Sequence, residues 1–177
     1  MRHSPALLSL LLLAAPALAD QRFPALGRPA TPSDIAPLDI DIRPDGAGLP
    51  PGQGTVAQGR DLYAAQCTAC HGALGAAPIP GVPRLAGGRG TLASAAPVQT
   101  VGSFWPYATT LFDYVRRAMP LQAPQSLSPD QVYALSAYIL FLNDLVPETA
   151  VINATILPAV AMPNRAGFRT VFHPAEK

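Results

Sequence analysis

Hydrophobic residues recur at the spacing of an amphipathic helix in two stretches of the chain. The first stretch extends from Val56 to about Ala69 and follows Thr55, a favourable N-cap residue. The second extends from Ala108 to Ala118, and basic residues in its last turn suit the helix dipole. The pattern therefore predicts two helices, each with one face turned to a common core.

A third helix has the clearest start in the sequence. Ser128 is placed as N-cap, Pro129 occupies the first helical position, and Gln131 completes a capping box. The run from Val132 to Leu142 that follows contains one polar residue, Ser136. This predicts a buried core helix that is too short to cross a bilayer, which takes about 20 residues.

The segments outside the helices divide the chain further. Residues 1–19 have a basic start, a short apolar run and a small-x-small ending, which predicts a secretory signal peptide and a periplasmic mature protein without a membrane span. An uncleaved N-terminal anchor is the alternative. Prolines then mark an extended N-terminal arm at 20–54, and a globular domain is predicted at 55–145. Prolines return in a C-terminal arm at 146–177, which is expected to wrap either the domain or a partner. Residues 38–42 alternate in polarity, as in a short strand or an apolar edge that docks.

Composition excludes several functions. The chain has 12 Lys and Arg against 11 Asp and Glu, a net charge of +1, so there is no electrostatic case for binding nucleic acid or anionic membranes. Its two cysteines are too few for a disulfide scaffold. Three short helices with a long Gly- and Pro-rich loop at 72–103 make a thin core, and a large apolar cofactor would complete it.

The motif that carries chemistry is Cys67-Thr68-Ala69-Cys70-His71, the C-x-x-C-H sequence to which c-type haem is attached. Two thiols on one helical turn can form thioethers with the haem vinyl groups, and His71 can serve as the proximal iron ligand. A redox C-x-x-C belongs at a helix start after a strand, whereas here a helix precedes it. A zinc site needs four ligands, and the mature chain offers only His173 besides this motif.

The sixth iron ligand is predicted to be Met119, which follows the second helix and precedes Pro120. Met162, also before a proline, lies in the C-terminal arm, where packing is the simpler explanation. His173 belongs to the tail. Histidine and methionine together raise the reduction potential of the iron, which suits electron transfer rather than oxygen chemistry.

The zone from 55 to 145 resembles a class I cytochrome c, so the expected fold is all-α, with about three to four helices around one covalent haem. Gly59 and Tyr63 match the family's first helix, which crosses the last helix, here near Leu135 and Tyr138. The resemblance also implies further roles around the haem. In these roles the Pro83 carbonyl accepts the Nδ1 proton of His71, Leu85 packs on the haem, and Trp105 and Tyr107 either bond the propionates or are core residues.

A narrower resemblance covers almost the whole mature chain. It is carried by the segments 42–46, 49–52, 101–111, 116–120 and 162–165. These are similar to cytochrome c subunits of bacterial sulfite dehydrogenase and of the sulfane dehydrogenase of the Sox sulfur-oxidation system. In that family a molybdenum-cofactor subunit performs the oxidation and the cytochrome removes the electrons.

The resemblance implies an electron-transfer subunit that is not catalytic alone. Its expected partners are the molybdenum-cofactor subunit and a downstream soluble cytochrome or terminal acceptor, and the two arms are expected to dock on the former. Two alternatives remain open: a free periplasmic electron shuttle, and a haem enzyme or gas sensor with an open iron site.

Overall fold

The computed structural model of the protein describes residues 27–76 and 79–169. The predicted signal peptide and His173 lie outside the described residues. The elements are α1 (Pro32–Ile35), β1 (Gln53–Thr55), α2 (Val56–Gln66), α3 (Thr68–His71), α4 (Ala108–Ala118), α5 (Pro129–Leu142), β2 (Val151–Asn153) and a 3-10 turn (Leu157–Ala159). Within these described ranges, no helix has both the length and the apolarity needed to cross a membrane.

Helix α5 is the centre of the core. Its start has the predicted capping box of Ser128 and Gln131, and every residue from Val132 to Leu140 is buried. Helix α2 crosses it at Gly59, where a Cβ atom would collide with the Ala134 carbonyl and the Tyr138 side chain. The expected crossing of the first and last helices is therefore present, and glycine is required because the two backbones approach so closely.

Helix α2 ends earlier than its periodicity predicts. It stops at Gln66, and the one-turn helix α3 follows after a break at Cys67. The Thr68 hydroxyl donates to the Tyr63 carbonyl at 3.1 Å, a side-chain bond to the backbone that interrupts the regular ladder. The C-x-x-C-H motif therefore lies on its own turn.

The two arms are joined by a short antiparallel ribbon. β1 pairs with β2 in the register Gln53 to Asn153, Gly54 to Ile152 and Thr55 to Val151. Ile152, Leu157, Val160 and Met162 are all buried in the core of the chain itself. Of the two expected placements of this arm, wrapping the domain or a partner, these four side chains show the first, because they pack intramolecularly; docking of the remaining exposed residues on a partner stays a prediction.

The N-terminal arm packs only in part. Ile42 and Leu49 lie against the core, whereas Leu38 is 78% exposed and residues 38–42 form no strand. The Arg117 guanidinium donates to Asp41 at 2.7 Å and so ties this arm to the end of α4. Helix α1 has a capping box at Thr31 but buries none of its residues.

Candidate functional site

A cavity of about 400 Å³ lies between the helices and is lined mainly by apolar side chains. The C-x-x-C-H turn, the 81–85 loop, the last turns of α4 and the middle of α5 contribute to its lining. Cys67, Cys70, His71 and Met119 all line it. The fold thus brings together the four residues that the sequence analysis selected, although Met119 is 48 positions after His71.

The two cysteines have free thiols and differ in exposure, Cys67 being partly buried and Cys70 exposed. Burial, assisted by the neighbouring Cys70, raises the pKa of the Cys67 thiol to about 11. The two thiols are not joined in a disulfide, and both line the cavity, where each can form a thioether with a bound group.

His71 ends the turn α3, and its Nδ1 atom is buried without a hydrogen-bond partner among the described residues. The expected bond from this atom to the Pro83 carbonyl is therefore absent from this structure, although Pro83 does line the cavity. Buried polar atoms are normally satisfied, so in this structure the imidazole lacks the hydrogen bond that would fix the orientation of its ring.

Met119 is the C-cap residue of α4 and has an extended backbone, φ −123° and ψ 146°. This conformation is the one that a following proline favours. It ends α4 and leaves the residue in the cavity lining. Met162 by contrast is 4% exposed, belongs to the hydrophobic core and is absent from the lining.

The loop below the cavity is fixed by a residue that the sequence analysis missed. Asn143, at the end of α5, donates to the Leu85 carbonyl at 3.0 Å and accepts from the Gly87 backbone N–H at 3.3 Å. Leu85 lines the cavity as expected. An asparagine that directly follows a long apolar run was the available signal, because a buried amide at that place needs partners.

The two aromatic residues before α4 have different surroundings. Trp105 lines the cavity and packs edge-on against Tyr114, with ring centroids 5.8 Å apart. Tyr107 is outside the lining, and the Arg165 guanidinium lies 5.4 Å from the centre of its ring. Trp105 is therefore the better placed of the two to meet a group in the cavity.

The cavity and its lining fit haem c. An apolar pocket suits a porphyrin, two thiols on one turn suit its vinyl groups, and imidazole and thioether are the axial ligand types of electron-transfer cytochromes.

Comparison with known proteins leads to the same family. The family model for cytochrome c matches residues 56–143. Among solved structures, a chain of the sulfane dehydrogenase SoxCD from Paracoccus pantotrophus is similar with 43% identity and a TM-score of 0.76, over 82% of this chain and 71% of that one. No curated protein matches. The chain therefore belongs to the cytochrome c family of electron-transfer proteins, which carry covalently bound haem c.

Proposed function

We propose that this chain is the periplasmic electron-transfer subunit of a molybdenum-cofactor sulfite or sulfane dehydrogenase. The similarity to a chain of SoxCD carries the proposal, because it covers 82% of this chain. The cytochrome c match alone, residues 56–143, accounts for only about half of the chain. The similarity therefore includes segments outside the haem domain, which a generic electron shuttle would not need to share.

Each site residue has a proposed role. Cys67 and Cys70 would hold haem c through thioethers, and His71 and Met119 would bind its iron. Bound haem supplies a one-electron store whose potential depends on these ligands and on the polarity around them. The apolar lining from α4 and α5 would exclude water and so support a raised potential.

Electron entry is proposed at the open side of the cavity. Tyr114 and Leu121 line the cavity and are nevertheless 49% and 76% exposed, so the cavity reaches the protein surface beside them. An accessible edge of this kind suits transfer between subunits. The chain has one C-x-x-C-H motif, which would hold one haem and so store one electron at a time. The proposed acceptor is a downstream soluble cytochrome or terminal acceptor.

The test is purification of the affinity-tagged, haem-loaded chain from the exported fraction of its own cells. The proposal predicts that a molybdenum-containing subunit co-purifies, and that sulfite or a sulfane-sulfur substrate reduces the haem of the complex. A cytochrome that purifies without a partner subunit and is reduced by neither substrate would instead be a free shuttle. Rapid carbon monoxide binding to the reduced wild-type protein would favour an open iron site.

A further inference from the structure

The loop from Phe104 to Tyr107 contributes Trp105 to the cavity lining, and hydrogen bonds between the residues just before it hold its start in place. Thr100 and Ser103 exchange hydrogen bonds: the Thr100 backbone N–H donates to the Ser103 hydroxyl at 2.9 Å, and the Ser103 N–H donates to the Thr100 hydroxyl at 3.1 Å. The loop then enters α4 at Tyr107 without a side-chain cap. Trp105 lies between these two points, in the cavity lining.

The outer side of this loop is held by residues about 60 positions later in the chain. The Asn164 amide donates to the Phe104 carbonyl at 2.7 Å. The Arg165 guanidinium covers the Tyr107 ring, and the Phe168 ring meets the Phe104 ring edge-on with centroids 5.1 Å apart. Three different interactions therefore converge on the residues that flank Trp105.

The segment that makes these contacts is itself ordered by local turns. The Arg165 N–H donates to the Met162 carbonyl at 3.2 Å, and the Gly167 N–H donates to the Asn164 carbonyl at 3.0 Å. Met162 anchors the segment in the core. A Cβ atom at Gly167 would collide with the Asn164 side chain, so glycine is needed there to keep the amide in place.

We infer that Asn164, Arg165 and Phe168 form a C-terminal clamp that positions Trp105 against the haem, with Asn164 as the principal positioning residue. The clamp controls how tightly the cavity wall closes, and hence how readily small molecules reach the iron. Arg165 and Phe168 are exposed and contribute packing, whereas Asn164 is half-buried and makes the directional bond. This inference requires the haem cavity but not the proposed partner.

The experiment uses the haem-loaded full chain and two readouts. Trp105 is the only tryptophan in the sequence, so its emission, which haem quenches steeply with distance, reports its position. The rate at which added imidazole binds the ferric protein reports access to the iron. Asn164→Ala removes the amide donor, and Asn164→Asp keeps the shape while removing the donor. Gly167→Ala displaces the amide, which provides an independent route to the same defect.

The matched control is Asn153→Ala. Asn153 is another half-buried asparagine of the C-terminal arm, but its side chain accepts from the Thr155 and Ile156 N–H groups and serves only a local turn. If the clamp positions Trp105, its emission should be brighter in the Asn164 and Gly167 variants, and imidazole should bind about fivefold faster. The factor corresponds to the loss of one hydrogen bond worth about 1 kcal/mol. Asn153→Ala should match the wild type in both readouts.

The inference is overturned if the Asn164 variants lower only the thermal midpoint and leave emission and imidazole binding unchanged. It is also overturned if Asn153→Ala produces the same changes, because the effect would then be one of general stability. If Asn164→Ala fails to fold, Asn164→Asp and Gly167→Ala decide the question by the same two readouts.

Discussion

Met119 and Met162 each precede a proline, and their surroundings separate two roles for the same side chain. Met119 lies in the cavity lining at the end of α4. Met162 is 4% exposed and packs in the core with the C-terminal arm. The sequence favours Met119 as the ligand from its position between two core helices, and the cavity lining supports that proposal.

Replacing each methionine with alanine should therefore change a different property: the reduction potential for Met119 and the unfolding free energy for Met162. Met119→Ala is expected to lower the reduction potential and to let the reduced protein bind carbon monoxide rapidly, because the proposed thioether ligand is lost. Met162→Ala should cost about 2–5 kcal/mol of unfolding free energy through the cavity it leaves, with an unchanged haem spectrum. Redox titration and urea unfolding of both variants make the comparison. A Met119→Ala protein with wild-type potential would refute the ligand assignment.

Tyr63 is expected to make the unfolding free energy decline at alkaline pH. Its hydroxyl donates to the Gly72 carbonyl at 2.9 Å, beside His71. Burial raises the pKa of Tyr63 to about 12, from 10.0. The unfolded chain therefore loses this proton first, and the stability that Tyr63 supplies, complete below pH 10.0, declines as the pH rises towards 12.

Tyr63→Phe should thus cost about 1 kcal/mol of unfolding free energy at neutral pH and flatten the alkaline decline. Urea unfolding of the haem-loaded protein at neutral and alkaline pH measures both effects. Tyr114→Phe, at a half-exposed position, is the control and should follow the wild type. Parallel alkaline curves for the wild type and Tyr63→Phe would show that another group causes the decline.

At the scale of elements, three of the described helices begin with a capping box, and two of them, α5 and α1, lie in opposite settings. Ser128 caps the buried helix α5, whereas Thr31 caps α1, which buries nothing. Ser128→Ala should lower the unfolding free energy by about 1 kcal/mol. Thr31→Ala should leave global unfolding unchanged, because α1 can open while the core stays folded. Equal losses in both variants would mean that α1 unfolds together with the core.

The helices were predictable where their limits are encoded locally. Helix α4 has the predicted bounds, Ala108–Ala118, because Pro120 restrains Met119 to an extended conformation. Helix α5 begins at its capping box for a similar reason. The limit of α2 was wrong by three residues, because the Thr68 side-chain bond to the Tyr63 carbonyl has no signature in hydrophobic periodicity.

The features that the sequence did not reveal depend on distant contacts. The ribbon of β1 and β2 joins residues about a hundred positions apart, and strands of three residues are too short for a recognisable alternation. For Asn143 the sequence signals only that a buried amide needs partners, whereas the identity of those partners depends on the distant 85–87 loop. The four cavity residues were found because the C-x-x-C-H spacing is local and the chain offers few other iron ligands.

At the scale of the whole molecule, the C-terminal arm belongs to the folded unit. Deleting residues after Glu148 removes β2 and four buried apolar side chains, each worth about 1.5–3 kcal/mol. Because a domain is typically stable by only about 5–15 kcal/mol, the truncated chain should yield little haem-loaded protein. Deleting 27–38 is the control and should have little effect, since every residue there is exposed. Spectroscopic yield and urea unfolding measure both.

A truncated chain with wild-type stability would show instead that the arm is an appendage. Its hydrophobic residues would then be available to a partner, as the sequence analysis expected of both arms.

The placement of the arm has a consequence for biosynthesis. The C-x-x-C-H turn precedes β2 and the Asn164 segment along the chain, and these later segments complete the ribbon and hold the loop that carries Trp105. Contacts between residues far apart in sequence are slow to form, so the turn with its two thiols can become ordered before the arm has packed. The interval between these two steps is the time at which the cavity is most open to an entering porphyrin.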